Sequence, residues 1–299
     1  MSVSVPTAFD LYFAGSKAQL DERQLEERED LFFHSIRLRN GTYKSTQHRR
    51  LDDLNAFVLQ FLPQQRPLEI MDVAVSSGVS TAEWLLALES AAVECRMLAG
   101  DAVVDAFLIS LGPSLRALAD RTGHLLQLDL RGKAIRLPPP RRRDRIRYAP
   151  FLQLMKAATR LFDLGAPARS RTAQMQRRLG ATCHPLTLMS PSLSRLPRVR
   201  AVEDDILVNT SYTRRFHVLR AANILNVAYF DAATLQRMLV NLRARLLPGG
   251  VLIVCRTNGA GVNNATVFTL GKDGRFQATA RLNEGSEITD LVLGLPPEC

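Results

Sequence analysis

The sequence predicts an α/β protein with a mostly parallel sheet, helices on both faces, a terminal antiparallel hairpin and a basic β/α insertion. Three observations predict this class. A strand-to-helix pattern with a small-residue turn spans residues 67–81, and a strand–helix–strand pattern spans residues 216–256. The excess positive charge lies in the stretch between them, so that stretch is predicted to be an insertion.

Residues 1–62 predict an N-terminal helical cap. Residues 20–38 carry many charges around a few apolar positions, which is typical of a surface helix ending near Asn40. Residues 51–62 place apolar side chains at helical spacing before Pro63, which ends the second helix.

The first core strand ends in a turn of small residues. The apolar run continues into Asp72, and Ala74, Ser76 and Gly78 are small enough for backbone N–H groups to approach a ligand. The helix that follows directs the positive end of its dipole toward the same place. This pattern indicates a nucleotide-binding turn, although strand–turn–helix segments also occur in proteins that bind nothing there.

The second core strand ends in Asp101. In nucleotide-binding α/β domains a carboxylate at this position accepts hydrogen bonds from the ribose hydroxyls. Asp105 is a weaker candidate, because a helix beginning near Ala102 would turn it away from the strand end. The dinucleotide pattern G-x-G-x-x-G is absent, which disfavours NAD.

An insertion is predicted after this strand. A small antiparallel meander is predicted by three segments in which apolar and polar residues alternate: 115–120, 125–130 and 133–137. Turn signals separate the three segments. Between residues 131 and 178 there are 14 Lys or Arg and 2 Asp, a net charge of +12, whereas the whole chain carries +10. The basicity of the protein therefore belongs to this segment.

The basic run leads into an amphipathic helical pattern. Residues 148–164 place Phe151 and Phe162 on one stripe, with Lys156 and Arg160 alongside. Such a helix suits an anionic membrane surface or a phosphate-bearing partner, and equally a lid packed on its own domain. Nucleic acid is less favoured, because few aromatic residues accompany the basic ones. The expected partner is a small-molecule or lipid-like acceptor of amphiphilic or acidic character.

The second half of the chain has clear element signals. Residues 233–247 form one apolar helical face, and residues 251–255 form a continuously apolar strand beyond a Pro-Gly-Gly turn. Residues 265–270 and 276–282 flank a Lys-Asp-Gly turn, which predicts a hairpin.

Four segments resemble the class I S-adenosylmethionine-dependent methyltransferases: 72–78, 96–101, 199–207 and 216–256. The resemblance implies a Rossmann-like fold with a seven-stranded sheet, S-adenosylmethionine as cofactor and methyl transfer as the activity. Ala74 and Ser76 stand where the family usually has glycine. An inactive scaffold or cofactor sensor therefore stays open as an alternative. A nucleic-acid methyltransferase that binds its substrate through the basic insertion is a second alternative.

The resemblance also implies site residues. The cofactor contacts are expected at Asp72, Ala74, Ser76, Gly78, Asp101, Asp205 and Ile206. Asn223 is the first choice for the catalytic face, and Tyr229, Arg256 and Asn258 are candidates for substrate contacts. A finer likeness, to the chemotaxis receptor carboxyl methyltransferases, rests on the β insertion and on RAANIL at residues 220–225.

The predicted organisation is a cap over residues 1–62, core segments over 63–110 and 185–299, and the insertion over 111–184. The four separated cysteines and five histidines show no ligand spacing, which predicts neither a disulfide framework nor a metal site. No secretory signal or membrane-spanning run is recognisable, so we expect a cytoplasmic protein, with peripheral membrane contact as an alternative. The oligomeric state is left open.

Overall fold

The computed structural model describes residues 4–14, 21–39, 41–44, 46–135, 142–165, 175–208 and 212–297. It divides the chain into two compact units. We call Met1–Thr46 with Val103–Pro191 the insertion unit, and Gln47–Ala102 with Ser192–Cys299 the core unit.

The elements follow one another along the chain in an irregular alternation. In order they are α1 (Ala8–Tyr12), α2 (Glu22–Ser35), α3 (Asp52–Val58), β1 (Leu68–Val73), α4 (Val79–Ser90), β2 (Cys95–Asp101), β3 (Asp105–Ser110), β4 (Leu115–Asp120), β5 (Leu125–Leu130), β6 (Lys133–Ile135), α5 (Arg142–Phe162), β7 (Gln176–Arg178), β8 (Ala181–Thr187), α6 (Pro191–Ser194), β9 (Val199–Glu203), β10 (Phe216–Ala222), α7 (Ala232–Arg245), β11 (Leu246–Thr257), β12 (Asn263–Leu270), β13 (Phe276–Leu282) and α8 (Thr289–Leu293). A short 3-10 helix, Leu59–Phe61, extends α3.

The core unit is built on a seven-stranded sheet in the order β13-β12-β11-β10-β1-β2-β9. The five strands from β11 to β9 are parallel, and β12 and β13 add an antiparallel hairpin at one edge. The predicted mostly parallel sheet with its terminal hairpin is therefore present in this unit.

Apolar helical faces cover this sheet on both sides. On one side α4 places Trp84 and Leu88 against the sheet, together with Leu54 of α3. On the other side α7 contributes Leu235 and Leu239, and α8 packs beside it. These helices form because their apolar residues recur every three or four positions and are buried together against the strands.

The insertion unit is built on a separate, wholly antiparallel sheet of six strands in the order β6-β5-β4-β3-β8-β7. Side chains alternate across it, as a strand requires. In β3, Phe107 and Ile109 pack toward α5, whereas Ala106 and Leu108 pack with α1 and α2. This unit therefore has its own three layers and two small cores.

Several expectations from the sequence differ from this arrangement. No helix begins near Ala102: Asp105 starts strand β3, and residues 103–110, expected in the core, lie in the insertion unit. Residues 1–46, expected as a cap beside 47–62, also cluster with the insertion unit. Short-range patterns revealed the three-strand meander, but not the strands that extend it from distant parts of the chain.

The amphipathic helix predicted over residues 148–164 is present as the second part of α5. Its apolar residues Met155, Ala158 and Phe162 are buried against the six-stranded sheet. The arrangement matches the alternative of a helix packed on its own domain. The side chain of Phe151 lies outside the described residues. No helix in the described parts of the chain is both long enough and apolar enough to cross a membrane.

Candidate functional site

The strand order of the core sheet reverses between β1 and β10. From β1 the chain continues to β2 and β9 on one side, and from β10 it continues to β11 on the other. In open α/β sheets this switch point leaves a crevice at the carboxyl ends of the strands, which is where ligands bind. We call the carboxyl ends of β1, β2, β9, β10 and β11 the site edge.

The turn after β1 has the backbone conformation of a glycine loop. Ala74, Ser76 and Gly78 have φ of 55°, 57° and 82°, all in the left-handed region. Residues with a Cβ are rare there and cost about 1 kcal/mol or more. The turn therefore adopts this geometry although two of the three positions lack glycine, and backbone strain of this kind clusters at functional sites.

Asp101 holds this turn from the end of β2. The backbone N–H of Ser76 donates to Asp101 Oδ2 at 2.8 Å, and Val75 N–H donates to the carbonyl of Gly100 at 3.1 Å. Asp101 is almost fully buried. Its carboxylate therefore lies at the end of β2, beside the loop that precedes the amino end of α4.

The Asp72 carboxylate is held inside the core unit. Arg220 of β10 donates to it from Nε at 3.0 Å and from a terminal nitrogen at 2.5 Å, and Thr81 Oγ1 donates at 2.7 Å. Both carboxylate oxygens are thus engaged. Asp72 was expected to contact the cofactor, but in this structure it links β1 to β10 and α4.

Arg220 is the hub of this buried network. It is 1% exposed, stacks on Trp84 with its guanidinium carbon 4.1 Å from the ring centroid, and donates to Asn55 Oδ1 at 2.9 Å. It also donates to the Ser80 carbonyl in the first turn of α4. A buried arginine persists only when its donors are satisfied, so the network positions α3 and α4 against the switch point.

Two residues predicted to contact the cofactor, Asp205 and Ile206, follow β9, and Asp204 directly precedes them. Asp205 is exposed, and its Oδ1 accepts from the N–H of Leu207 at 2.9 Å. Ile206 is buried in the core, and its carbonyl accepts from Asn241 at 3.0 Å. The buried carboxylate of this segment is Asp204, which accepts from Arg245 at 2.7 Å.

Asn223 follows β10 with φ 63° and braces the end of β11. Its Nδ2 donates to Thr257 Oγ1 at 3.1 Å, and its Oδ1 accepts from Thr257 N–H at 2.7 Å. The Asn223 N–H donates to the Cys255 carbonyl. The predicted catalytic asparagine is at the switch point, but both ends of its amide make internal contacts.

The three predicted substrate residues are not brought together by shared contacts. Tyr229 is 74% exposed. Arg256 forms an ion pair with Glu287 at 2.7 Å. Asn258 shapes the β11–β12 turn, since its Oδ1 accepts from the N–H groups of Ala260 and Val262.

A chain of hydrogen bonds runs from the site edge to the start of α3. Thr257 Oγ1 donates to Asn263 Oδ1 at 2.7 Å, and Asn263 Nδ2 donates to the carbonyl of Arg50 at 2.7 Å and to Asp53 at 2.6 Å. The segment that carries Arg50 is thereby tied to the carboxyl end of β11.

Arg50 and Glu83 add charge beside this chain. Burial lowers the pKa of Arg50, as does the nearby charge of Arg220, whereas Cys255 and Glu83 raise it. Arg50 Nε and Glu83 Oε2 are buried and have no hydrogen-bond partner among the described residues. Buried polar atoms of this kind are costly, although Glu83 accepts through its other oxygen from the N–H of Arg49 at 2.7 Å.

Three features of the site edge suit the recognition of a nucleoside. A left-handed turn, a strand-end carboxylate and the amino end of the 12-residue helix α4 converge there, and these features suit ribose and adenine recognition. Within the described ranges no group of three or more His, Cys, Asp or Glu is placed to hold a metal.

No family model and no curated protein matches the chain. Among solved structures, it is similar to the citrinin polyketide synthase CMeT domain, with 14% identity, a TM-score of 0.33 and coverage of 69% of this chain and 34% of that one. NodS, an N-methyltransferase of Bradyrhizobium japonicum WM9 solved with S-adenosyl-L-homocysteine, matches with 13% identity, a TM-score of 0.31 and coverage of 71% and 65%.

The PH0226 protein of Pyrococcus horikoshii OT3 matches with 11% identity, a TM-score of 0.34 and coverage of 80% of this chain and 75% of that one. The chain spans only about a third of the lengths of the citrinin synthase domain and the CurJ carbon methyltransferase.

Sequence reasoning missed Arg220, Asp204 and Arg245 as buried charges. The sequence did contain a signal for Arg220. An arginine within an apolar strand pattern requires a buried partner, and Asp72 is an acidic residue within another apolar strand pattern. No comparable signal identified Glu83, whose position on α4 reads as an ordinary helical surface residue.

Proposed function

We propose that the core unit binds S-adenosylmethionine at the site edge and transfers its methyl group to a small acceptor of amphiphilic or acidic character. The observation that carries the proposal is the left-handed turn at Ala74, Ser76 and Gly78, held by Asp101 at the switch point of the sheet. A turn that keeps this conformation at a steric cost points to a ligand that needs the close backbone approach.

The residues of the core unit supply binding and orientation. Asp101 is the acceptor for ribose hydroxyls, and the turn and the amino end of α4 face the rest of the nucleoside. Asp205 and Ile206 belong to the adenine side, with Asp204 and Arg245 supporting that segment from inside. Asp72 acts indirectly, because its ion pair with Arg220 positions the strands and α4 beneath the turn.

When bound, S-adenosylmethionine supplies a sulfonium methyl group for an in-line displacement. The protein's own task is then to align the acceptor and exclude water, and a metal or covalent nucleophile is unnecessary. Arg50 is the cation suited to an acidic acceptor, because its Nε is buried beside the site edge and lacks a hydrogen-bond partner within the described residues. Asn223 positions the ends of β10 and β11 through its two contacts with Thr257.

Isothermal titration calorimetry with S-adenosylmethionine and S-adenosyl-L-homocysteine tests the proposal. We expect the full chain to bind both. The variant Asp101→Asn keeps an oxygen that can accept from Ser76 N–H but lacks the charge, so it should bind about tenfold more weakly. Asp273→Asn, at the tip of the β12–β13 hairpin, is the matched control and should bind like the unmodified chain. Absence of binding by the full chain at millimolar ligand would refute the proposal.

A cofactor sensor without catalysis is the second candidate. It is favoured by the internal contacts of Asn223, Arg256 and Asn258, three of the four residues predicted for catalysis and substrate binding. Transfer of a labelled methyl group into fractionated small molecules, lipid, protein and RNA separates the candidates. Binding without label transfer into any fraction would favour the sensor.

A further inference from the structure

Three hairpin tips lie at the same end of the six-stranded sheet in the insertion unit. The pairings Ser110 with Arg116, Leu130 with Leu115, and Ser110 with Thr182 place the β3–β4, β5–β6 and β7–β8 turns side by side. The N–H of Arg131 donates to the Ser114 carbonyl and joins two of them directly. We call residues 111–114, 130–133 and 177–180 the tip edge.

The tip edge combines basic and apolar side chains. Arg131, Lys133, Arg177 and Arg178 are exposed, and these residue ranges contain no acidic residue. Leu130 is 43% exposed. Asp129, which directly precedes this edge in the chain, is buried and accepts from Arg116, so it does not neutralise the edge.

Leu179 is the most unusual residue of this edge. It is 92% exposed, and with Gly180 it forms a two-residue turn in which both φ angles are positive, 48° and 78°. Turns of this type favour Asn-Gly or Asp-Gly, because Asn and Asp tolerate left-handed backbone. A leucine at this position is unfavourable for the turn and packs against nothing, so its presence needs an explanation outside the fold.

The insertion unit also carries the whole net charge of the protein. Its two segments contain 22 Lys or Arg and 12 Asp or Glu, a net charge of +10, whereas the core unit contains 17 of each. The positive electrostatic field of the insertion unit attracts a polyanionic surface, whereas the core unit has no net charge.

We propose that the tip edge docks on an anionic phospholipid bilayer, with Leu179 inserted among the acyl chains and the four basic side chains at the headgroups. A leucine flanked by arginines matches the apolar interior and anionic rim of such a surface. The described apolar stripe of α5 is buried in its own unit and does not serve as the anchor. This inference is independent of the proposed methyl transfer.

Nucleic acid fits this surface less well. Single-stranded chains bind by stacking bases on aromatic side chains between basic residues, and residues 111–114, 130–133 and 177–180 contain no aromatic residue. An exposed aliphatic turn offers nothing to a base but gains free energy on entering a bilayer.

Sedimentation with vesicles of phosphatidylcholine alone, or mixed with phosphatidylserine, tests the proposal on the full chain. We expect binding only to the mixed vesicles, falling steeply with added salt. Leu179→Asn should weaken it about tenfold through lost burial. Because asparagine suits a left-handed turn, the same variant should unfold at an equal or higher temperature, which separates lost docking from lost folding. Leu86→Gln, at an exposed helical position of the core unit, is the control and should leave binding unchanged.

The basic residues are tested in the same assay. Arg177→Gln with Lys133→Gln removes two charges from the tip edge and should weaken binding about 30-fold, since each cation near an anionic surface contributes a factor of about five. Lys272→Gln with Arg275→Gln removes two charges from the β12–β13 hairpin tip and should have no comparable effect. Unchanged vesicle binding by Leu179→Asn, or tighter binding to single-stranded RNA than to the mixed vesicles, would overturn the proposal.

Discussion

At the scale of single residues, Ala74 and Ser76 are the most informative positions of the chain. They adopt left-handed backbone without being glycine, and Ser76 N–H is tied to Asp101. A loop free to relax would lose this strain, so the surrounding hydrogen bonds and α4 impose the conformation.

Replacing either residue with glycine should therefore stabilise the core unit. We expect Ala74→Gly and Ser76→Gly each to raise the free energy of unfolding by about 0.5–1 kcal/mol, because glycine adopts positive φ without a steric cost. Ala82→Gly, inside α4, is the opposite control and should lower it by about 1 kcal/mol. Urea denaturation measures all three, and a loss of stability in both turn variants would contradict the strain argument.

The buried pair Asp72 and Arg220 gives a second prediction at this scale. Arg220→Met leaves the Asp72 carboxylate buried with only Thr81 as donor, and should cost about 3–5 kcal/mol. The double variant Asp72→Leu with Arg220→Met should cost less than the sum of the two single changes, because no lone charge then stays buried. A double-mutant cycle in urea measures this coupling, and strict additivity would show that the pair does not act as a unit.

At the scale of elements, the patterns of apolar residues predicted most of the helices and strands. The helix α7, the strand β11 and the β12–β13 hairpin lie where periodicity and the Lys-Asp-Gly turn placed them. One boundary differs, because β11 begins at Leu246 and includes the Pro-Gly-Gly segment. There Leu246 already pairs with Phe216, and the register shifts before Val251. Long-range pairing of this kind leaves no local signal.

For the amphipathic helix α5, the sequence left several alternatives open. The pattern of apolar and basic residues was equally compatible with a membrane surface and with a packed lid, because both bury one helical face. The structure buries Met155, Ala158 and Phe162 against β3, β4 and β5 of its own unit. The choice between these alternatives is a matter of tertiary contacts.

The packing of α5 predicts the effect of truncating its apolar side chains. Phe162→Ala should lower the stability of the insertion unit by about 3–5 kcal/mol, because it removes a large buried side chain and leaves a cavity. Lys156→Ala, on the exposed face of the same helix, should change stability by less than about 0.5 kcal/mol. Circular dichroism melts compare the two, and equal melting temperatures would show that α5 is not part of the core.

At the scale of the whole molecule, two units with separate cores divide the chain and its charge. Besides Cys95, which is also buried in the core unit, the units enclose two free cysteines, Cys183 in the insertion unit and Cys255 in the core unit. Burial raises the pKa of both thiols from 9.0 to about 12. The reactivity of each thiol therefore measures how well the core of its own unit excludes solvent.

We expect both thiols to resist alkylation in the native protein at pH 8 and to react rapidly in denaturant. The native state favours the protonated thiols, so their contribution to stability is present below pH 9 and is lost as the pH rises toward 12. Mass spectrometry after pulsed alkylation measures each site. Fast native reaction of Cys255 would place it at an open surface and contradict its burial in the core.

The sequence by itself determined the alternation of strands and helices, the terminal hairpin, the location of the basic segment and the turn from Ala74 to Gly78, because these depend on residue spacing and backbone preference. Only the tertiary structure decided that Asp72 is held by Arg220, that Asn223 braces Thr257, and that β7 and β8 join the meander to align three turns. Those outcomes depend on contacts between residues far apart in the chain, and no local pattern encodes which distant partner satisfies a buried charge or pairs with a strand edge.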